Sequence, residues 1–226
     1  VPVKGIVVFF CIMICCCLSV LMAQRNVTTY IYQIETDGQV SDSVAWRVIK
    51  NQDSVLLESD FFGVKYTYQC NPDYSVKRYY MHANEANYMN VVNEGDYIRL
   101  SGLKDGDNIC SVVDKGKYPW YQNIGWAASH MLSAGEKEIT FSLLRPDNFS
   151  MVHMQAGVVE EEQVIYENEL HDAIKVKITL TGFLRHFWCG YYWYRKSDYK
   201  MVKYHGATGG PGSPKLTMLL INEYVN

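Results

Sequence analysis

Beyond residue 23 the chain carries only three cysteines, Cys70, Cys110 and Cys189; the other four of its seven precede that point. An odd number of thiols excludes a fully paired disulfide framework, and no CxxC or His-plus-Cys spacing suggests a zinc site. Their plainest reading is as small buried hydrophobes, with one bridge and a leftover thiol as the alternative. An excess of basic charge is also missing. The 21 Lys and Arg are outnumbered by 24 Asp and Glu, for a net charge of −3, and the two signs are mixed along the chain. A nucleic-acid binder gathers Lys and Arg on one face to displace counterions from phosphates, so no nucleic-acid partner is expected.

Motifs of catalysis are absent too. His82, His130, His153, His171, His186 and His205 show no HxH, HxxxH or HExxH spacing, which leaves no metal site. There is no GxSxG elbow to expose a nucleophile. The stretch "GATGGPGSPK" lacks the GxxxxGK[ST] order of a phosphate cradle, and Pro211 and Pro214 each remove an N–H donor, so it reads as a rigid loop. Glu160, Glu161 and Glu162 point in different directions and read as a solvated strand end, not as a paired acid and base. The protein is therefore read as not an enzyme, with no cofactor. His130, on the single predicted helix, is the histidine to watch.

What is present begins with an apolar block, "GIVVFFCIMICCCLSVLMA", between Lys4 and the polar run Gln24-Arg25-Asn26. A short basic start and an apolar core ending at a small residue make residues 1–23 an export signal. The block is also about long enough to span a bilayer, so an uncleaved N-terminal anchor is the alternative. Bulky Ile12, Met13 and Ile14 before Cys15 argue against lipidation there. Residues 24–226 are expected to form a single β-rich domain in the periplasm or cell envelope.

Eighteen tyrosines and five tryptophans favour strands and half-buried surfaces. In "KVKITLTG", Val176, Ile178 and Leu180 share one face and Lys175, Lys177 and Thr179 the other, as a strand with one buried face requires. "TTYIYQIE", "SVAWRVIK", "VKYTYQC", "YSVKRYYM", "YIRLSG", "EITFSLL", "SMVHMQAG" and "KLTMLLI" repeat the pattern. Turn chemistry at Asp37-Gly38, Asn71-Pro72-Asp73, Glu94-Gly95-Asp96, Asp105-Gly106-Asp107 and Arg145-Pro146-Asp147 separates them, giving an antiparallel meander. One stretch departs from it. Pro119, the apolar Trp120, Ile124, Ala127, Ala128, Met131 and Leu132, and Gly135 predict a helix over 119–134.

The order of strands, one apolar helix ending in "MLSAG", and further strands finishing in "YYWYRKSDYKMVKYHGATGGPGSPKLTMLL" resembles an uncharacterised family of bacterial envelope proteins. Members of that domain of unknown function close with a hairpin carrying an aromatic-Arg/Lys-Ser-Asp turn, and the family is similar in plan to the lipoprotein carriers of the Lol pathway. The resemblance implies a mainly β (α+β) fold, a long curled antiparallel half-barrel around one central helix, with an apolar concavity. It transfers no catalytic residue.

On that plan the expected function is non-enzymatic binding of an apolar small molecule, a lipid or a lipidated protein. Trp120, Ile124, Trp126, Met131, Phe141, Val176, Ile178 and Leu180 are the candidate lining, because such pockets are built from the inward faces of their elements. Tyr192, Tyr194 and Arg195, on the aromatic hairpin, are candidates for surface recognition. They would serve an envelope protein partner in an assembly role or, as a second alternative, a glycan.

Overall fold

The computed structural model describes residues 26–166, 169–207 and 212–225. The expected export signal at 1–23 and the middle of the glycine-rich loop lie outside them. Eight strands come first: β1 (Asn26–Thr36), β2 (Gln39–Asn51), β3 (Ser54–Phe61), β4 (Val64–Cys70), β5 (Val76–Asn84), β6 (Asn87–Glu94), β7 (Tyr97–Lys104) and β8 (Asp107–Asp114). The helix α1 (Ile124–Ser133) follows. Then come β9 (Glu138–Leu144), β10 (Met151–Tyr166), β11 (Glu169–Leu180), a short 3-10 turn (Gly182–His186), β12 (Cys189–Arg195), β13 (Met201–Ala207) and β14 (Lys215–Val225).

All fourteen strands belong to one antiparallel sheet, ordered β8-β7-β6-β5-β4-β3-β2-β1-β14-β13-β12-β11-β10-β9. The two halves of the meander are joined where β1 pairs with β14, Tyr32 standing opposite Leu220. Alternation sets the faces. Tyr30, Tyr32 and Ile34 are buried on β1, and Val202, Tyr204 and Gly206 on β13. Irregular registers bend the sheet, among them those at Ile31/Tyr32 and Val158/Glu160, and such bulges sharpen local twist and curl. The sheet does not close into a barrel, because β8 and β9 remain at opposite edges. The fold is a mainly β half-barrel with a single helix among the described residues.

The helix connects those two edges. Its predicted start at Pro119 needs correction: residues near 120 are extended, with Trp120 bridged in parallel to Ser142 on β9. The backbone N–H of Val76 donates to the Trp120 carbonyl at 2.9 Å, and Ser142 Oγ donates to the Lys115 carbonyl at 3.0 Å. With Ser142 N–H donating to the Pro119 carbonyl at 2.8 Å and Tyr121 N–H to the Ser142 carbonyl at 3.0 Å, residues 119–121 cover the β9 edge before α1 begins at Ile124. The far end matches the sequence signal. Gly135, at φ 75°, donates to the Leu132 carbonyl at 3.0 Å, and Glu136 donates to Met131 at 3.0 Å, the paired closure that a left-handed glycine permits. Ala127, Ala128, Met131 and Leu132 form the helix's buried side.

The glutamate run also differs from expectation. Glu160, Glu161 and Glu162 lie in the middle of the 16-residue β10, beside its register shift. Their carboxylates answer lysines of neighbouring strands and turns. Glu160 meets Lys175 at 2.8 Å, Glu161 meets Lys196 at 2.7 Å, and Glu162 accepts from the Trp193 indole.

Candidate functional site: an apolar cavity under the rim

Because every neighbour in the sheet is antiparallel, the odd-numbered strands all end on one rim, where the turns after β3, β9, β11 and β13 gather. Beneath that rim the concave face encloses a cavity of about 900 Å³. One wall is aromatic: Trp46 on β2, Tyr66 and Tyr68 on β4, and Tyr79 with Met81 on β5. Its rings form a ladder, Tyr68 stacking on Tyr79 at 5.0 Å and lying 6.4 Å from Tyr66. The opposite wall is more aliphatic, with Leu143, Leu144, Val152, Met154 and Leu180. Tyr204, Leu216 and Met218 complete the sheet side.

The first turn of α1 supplies the remaining surface through Ile124, Gly125 and Trp126. Trp126 is held between Tyr30, at 5.8 Å, and Tyr74, at 5.2 Å. Buried phenols need hydrogen-bond partners, and here they tie the sheet to the helix and its neighbours. Tyr194 donates to the Gly125 carbonyl at 2.7 Å, and Tyr32 donates to the Met201 carbonyl at 2.9 Å. Ser129, on the helix, donates to the Tyr199 carbonyl at 2.7 Å. A Cβ added at Gly125 would come within 3.3 Å of Met201 Sδ and 3.5 Å of the Tyr192 ring. The glycine that weakens the helix as a helix lets it sit this close to the sheet.

Electrostatically the cavity is quiet. Burial pushes the phenols of Tyr32, Tyr68, Tyr79 and Tyr192 above their ordinary range, so they remain neutral donors. Among the described residues the full charges in the lining are Arg145 and Asp147, at the rim, which pair with each other through a 3.1 Å Nε–Oδ1 bond and a second contact. Lys104 donates to the Asp147 carbonyl at 2.7 Å, linking the β7–β8 turn to the β9–β10 turn across the open side. The chemistry on offer is desolvation of an apolar guest. The nearest serine–histidine pair, Ser142 with His153 Nδ1 at 3.2 Å, belongs to the covering of the β9 edge, where the Ser142 hydroxyl also meets the Lys115 carbonyl and has no exposed surface.

Of the eight lining candidates, Ile124, Trp126 and Leu180 face the cavity. Trp120, Met131, Phe141, Val176 and Ile178 are buried in the packed core. Val176 and Ile178 precede Leu180 on β11 and so lie farther from the rim, while Phe141 meets Tyr121 edge-on at 5.8 Å. The surface-recognition candidates require a correction. Tyr194 has no exposed surface and Tyr192 is 8% exposed; both rings point into the concavity, where Tyr192 becomes a lining residue. Arg195 is engaged by Asp198 at 2.9 Å and Glu223 at 2.9 Å, so the Arg-Lys-Ser-Asp turn is an internal clasp. On the opposite face, Trp193 is covered by Lys203 at 4.8 Å and Lys175 at 5.4 Å. The aromatic wall from β2 to β5 was missed, although the spacing of Tyr66 and Tyr68 in "VKYTYQC" placed both rings on one face.

A curled sheet with a helix across its concavity defines an open β-barrel-like class, and a solved structure shares it. The chain superposes on a beta-barrel-like protein of the domain of unknown function DUF1849 from Brucella abortus with a TM-score of 0.58, at 8% identity, over 89% of this chain and 98% of that one. The hypothetical lipoprotein YmcC from Escherichia coli gives 0.41, at 10% identity, over 87% and 86%. A LolA superfamily protein from Nitrosomonas europaea gives 0.28, at 8% identity, over 89% and 86%. The Brucella superposition carries the likeness of fold. That protein belongs to a domain of unknown function with a beta-barrel-like fold, in agreement with the curled antiparallel sheet that the sequence resemblance implied. No family model and no curated protein matches the sequence.

Proposed function

We propose that this is an exported, non-enzymatic envelope protein that holds an apolar ligand, a lipid chain or the acyl group of a lipidated partner in the cavity under its rim. The observation that carries the reading is the cavity itself: about 900 Å³, within the range of ligand pockets, walled by rings, leucines and methionines. Such a volume would hold roughly 30 waters, and because Tyr32 and Tyr204 spend their hydroxyls on backbone carbonyls, the mostly apolar walls offer those waters few partners beyond the phenols of Tyr66, Tyr68, Tyr79 and Tyr192. An apolar occupant releases them, and each methylene it buries contributes about 0.8 kcal/mol. The Brucella fold supports the architecture; the lipoprotein and Lol-type neighbours agree with the reading but carry no argument for the ligand.

The experiment is native mass spectrometry of protein purified from its own envelope without detergent. Wild type should carry a lipid-sized adduct, and Met218→Trp, which fills the cavity from β14, should lose it while keeping the wild-type circular dichroism. Repeated recovery of empty wild-type protein would overturn the proposal.

A further inference from the structure

The rim carries apolar side chains that the fold does not use. Hairpins β1–β2 and β7–β8 turn through Asp37-Gly38, at φ 53° and 76°, and Asp105-Gly106, at φ 53° and 86°, the composition that a two-residue turn of this hand demands. Hairpin β3–β4 turns likewise through Phe62-Gly63, at φ 52° and 77°. A bulky aromatic in the left-handed region is an outlier that ordinary turn chemistry would replace with Asn or Asp. Packing does not explain it, because Phe62 is 58% exposed and meets the ring of Phe61 at 4.4 Å from the solvent side of the tip.

A second apolar tip stands on the facing wall. Between β11 and β12 the 3-10 turn leaves Phe183 76% exposed, Leu184 52% and Phe187 53%. The ionisable residues of this connection, Arg185 and His186, are both basic, and with Lys177 and Glu138 they border a shallow hollow on the outer face. Both tips adjoin the cavity: Phe61 lines it from one side, Leu184 and Phe187 from the other.

We propose that the rim docks on an anionic lipid bilayer. Phe62, Phe183, Leu184 and Phe187 enter the interface while Arg185 and Lys177 meet headgroup phosphates. Phe183, Leu184 and Phe187 stand beside Arg185 and His186, apolar and basic side chains that match that surface in both polarity and sign, while the Phe62 tip, with Asp60 and Lys65 beside it, adds apolar surface without net charge. Two separate tips astride an opening suit a yielding plane, which can admit both at once and present a lipid chain to the space between them. No helix among the described residues is long and apolar enough to cross a membrane. That a chain then passes into the cavity rests on the function proposed above; the docking does not.

The test is flotation with phosphatidylcholine vesicles, with and without phosphatidylglycerol. Wild type should favour the anionic vesicles, and Arg185→Gln should weaken that partition about fivefold, with the difference fading in high salt. Phe62→Asn combined with Phe183→Ser should lower binding to both vesicle types, while Phe62→Asn alone raises the melting temperature because Asn suits the turn. Emission added by Phe183→Trp should be quenched by brominated lipid. An unquenched Trp, or unchanged partition of the variants, overturns the docking. Phe62 and Phe183 do not line the cavity, so uptake of the probe N-phenyl-1-naphthylamine should survive both changes. Absent uptake with intact vesicle binding would sink the cavity reading alone.

Discussion

The phenol of Tyr194 on β12 donates a 2.7 Å hydrogen bond to the carbonyl of Gly125, in the first turn of α1. One bond thus fixes the distance between sheet and helix at the edge of the cavity. Tyr194→Phe keeps the ring and removes the donor, so it should cost about 1 kcal/mol in urea denaturation. It should also weaken uptake of an apolar probe more than it weakens the fold, because the freed helix start is cavity wall. Equal losses in both measurements would show that Tyr194 stabilises the protein without positioning α1.

Tyr204 covers a glycine pair. Gly190 and Gly206 stand opposite each other on β12 and β13, and a Cβ at Gly206 would lie 2.6 Å from the Tyr204 hydroxyl oxygen and 2.9 Å from Gly190 Cα. The ring occupies the space that two side chains would need, while its hydroxyl donates to the Ala207 carbonyl at 2.7 Å. Gly206→Ala should destabilise by about 1–3 kcal/mol, the usual cost of overpacking. Part of that loss should return in a Tyr204→Ala background, where the ring is gone but the Gly190 backbone remains. Denaturation of the two single variants and the double variant measures the coupling.

The sequence disclosed those strands in which one face is buried and the other wet. "VKYTYQC" coincides with β4 because alternation and turn residues agree there, and "EITFSLL" coincides with β9 although its two faces are both covered at Phe141 and Ser142. The strands β3, β6 and β8 escaped for different reasons. Val55, Leu56 and Leu57 run together on β3, and β8 is an edge strand whose side chains are largely exposed. The helix was legible from its apolar spacing and Gly135, but Pro119 was misleading, since an edge of sheet tolerates proline as readily as a first helical turn does. Inward and outward rings could not be told apart at Tyr192 to Arg195. That choice depends on curvature and on partners as distant as Glu223, which no local pattern contains.

The thiols should differ sharply in reactivity. Burial, with a smaller contribution from Asp73, pushes Cys70 up to about 12, which leaves roughly one part in ten thousand as thiolate at pH 8. Cys110 is exposed on the edge strand β8. Cys110→Ser should remove one fast equivalent from a thiol titration of the folded protein, whereas Cys70→Ser should leave the fast phase unchanged. A fast equivalent lost with Cys70→Ser would place that residue at the surface.

The clasp at the end away from the rim predicts an acid limit to stability. Burial alone would raise the pKa of Asp198 and Glu223, yet Arg195 hydrogen-bonds both and Lys200 adds its charge, so each carboxyl is held below its ordinary range. Glu223 meets Arg195 at 2.9 Å and Lys200 at 2.8 Å, which ties the β12–β13 turn to β14. A carboxyl depressed on folding contributes stability above its unfolded value, about 4.3 for Glu and 3.9 for Asp, and that contribution is lost as pH falls through the lower folded value. Glu223→Gln should therefore cost on the order of 1–3 kcal/mol at pH 7 and progressively less below about pH 4. Urea denaturation across that range should show wild type and variant converging as the acid is added. Curves that stay parallel to the lowest pH would mean the variant's cost is steric, with the carboxylate's charge contributing nothing.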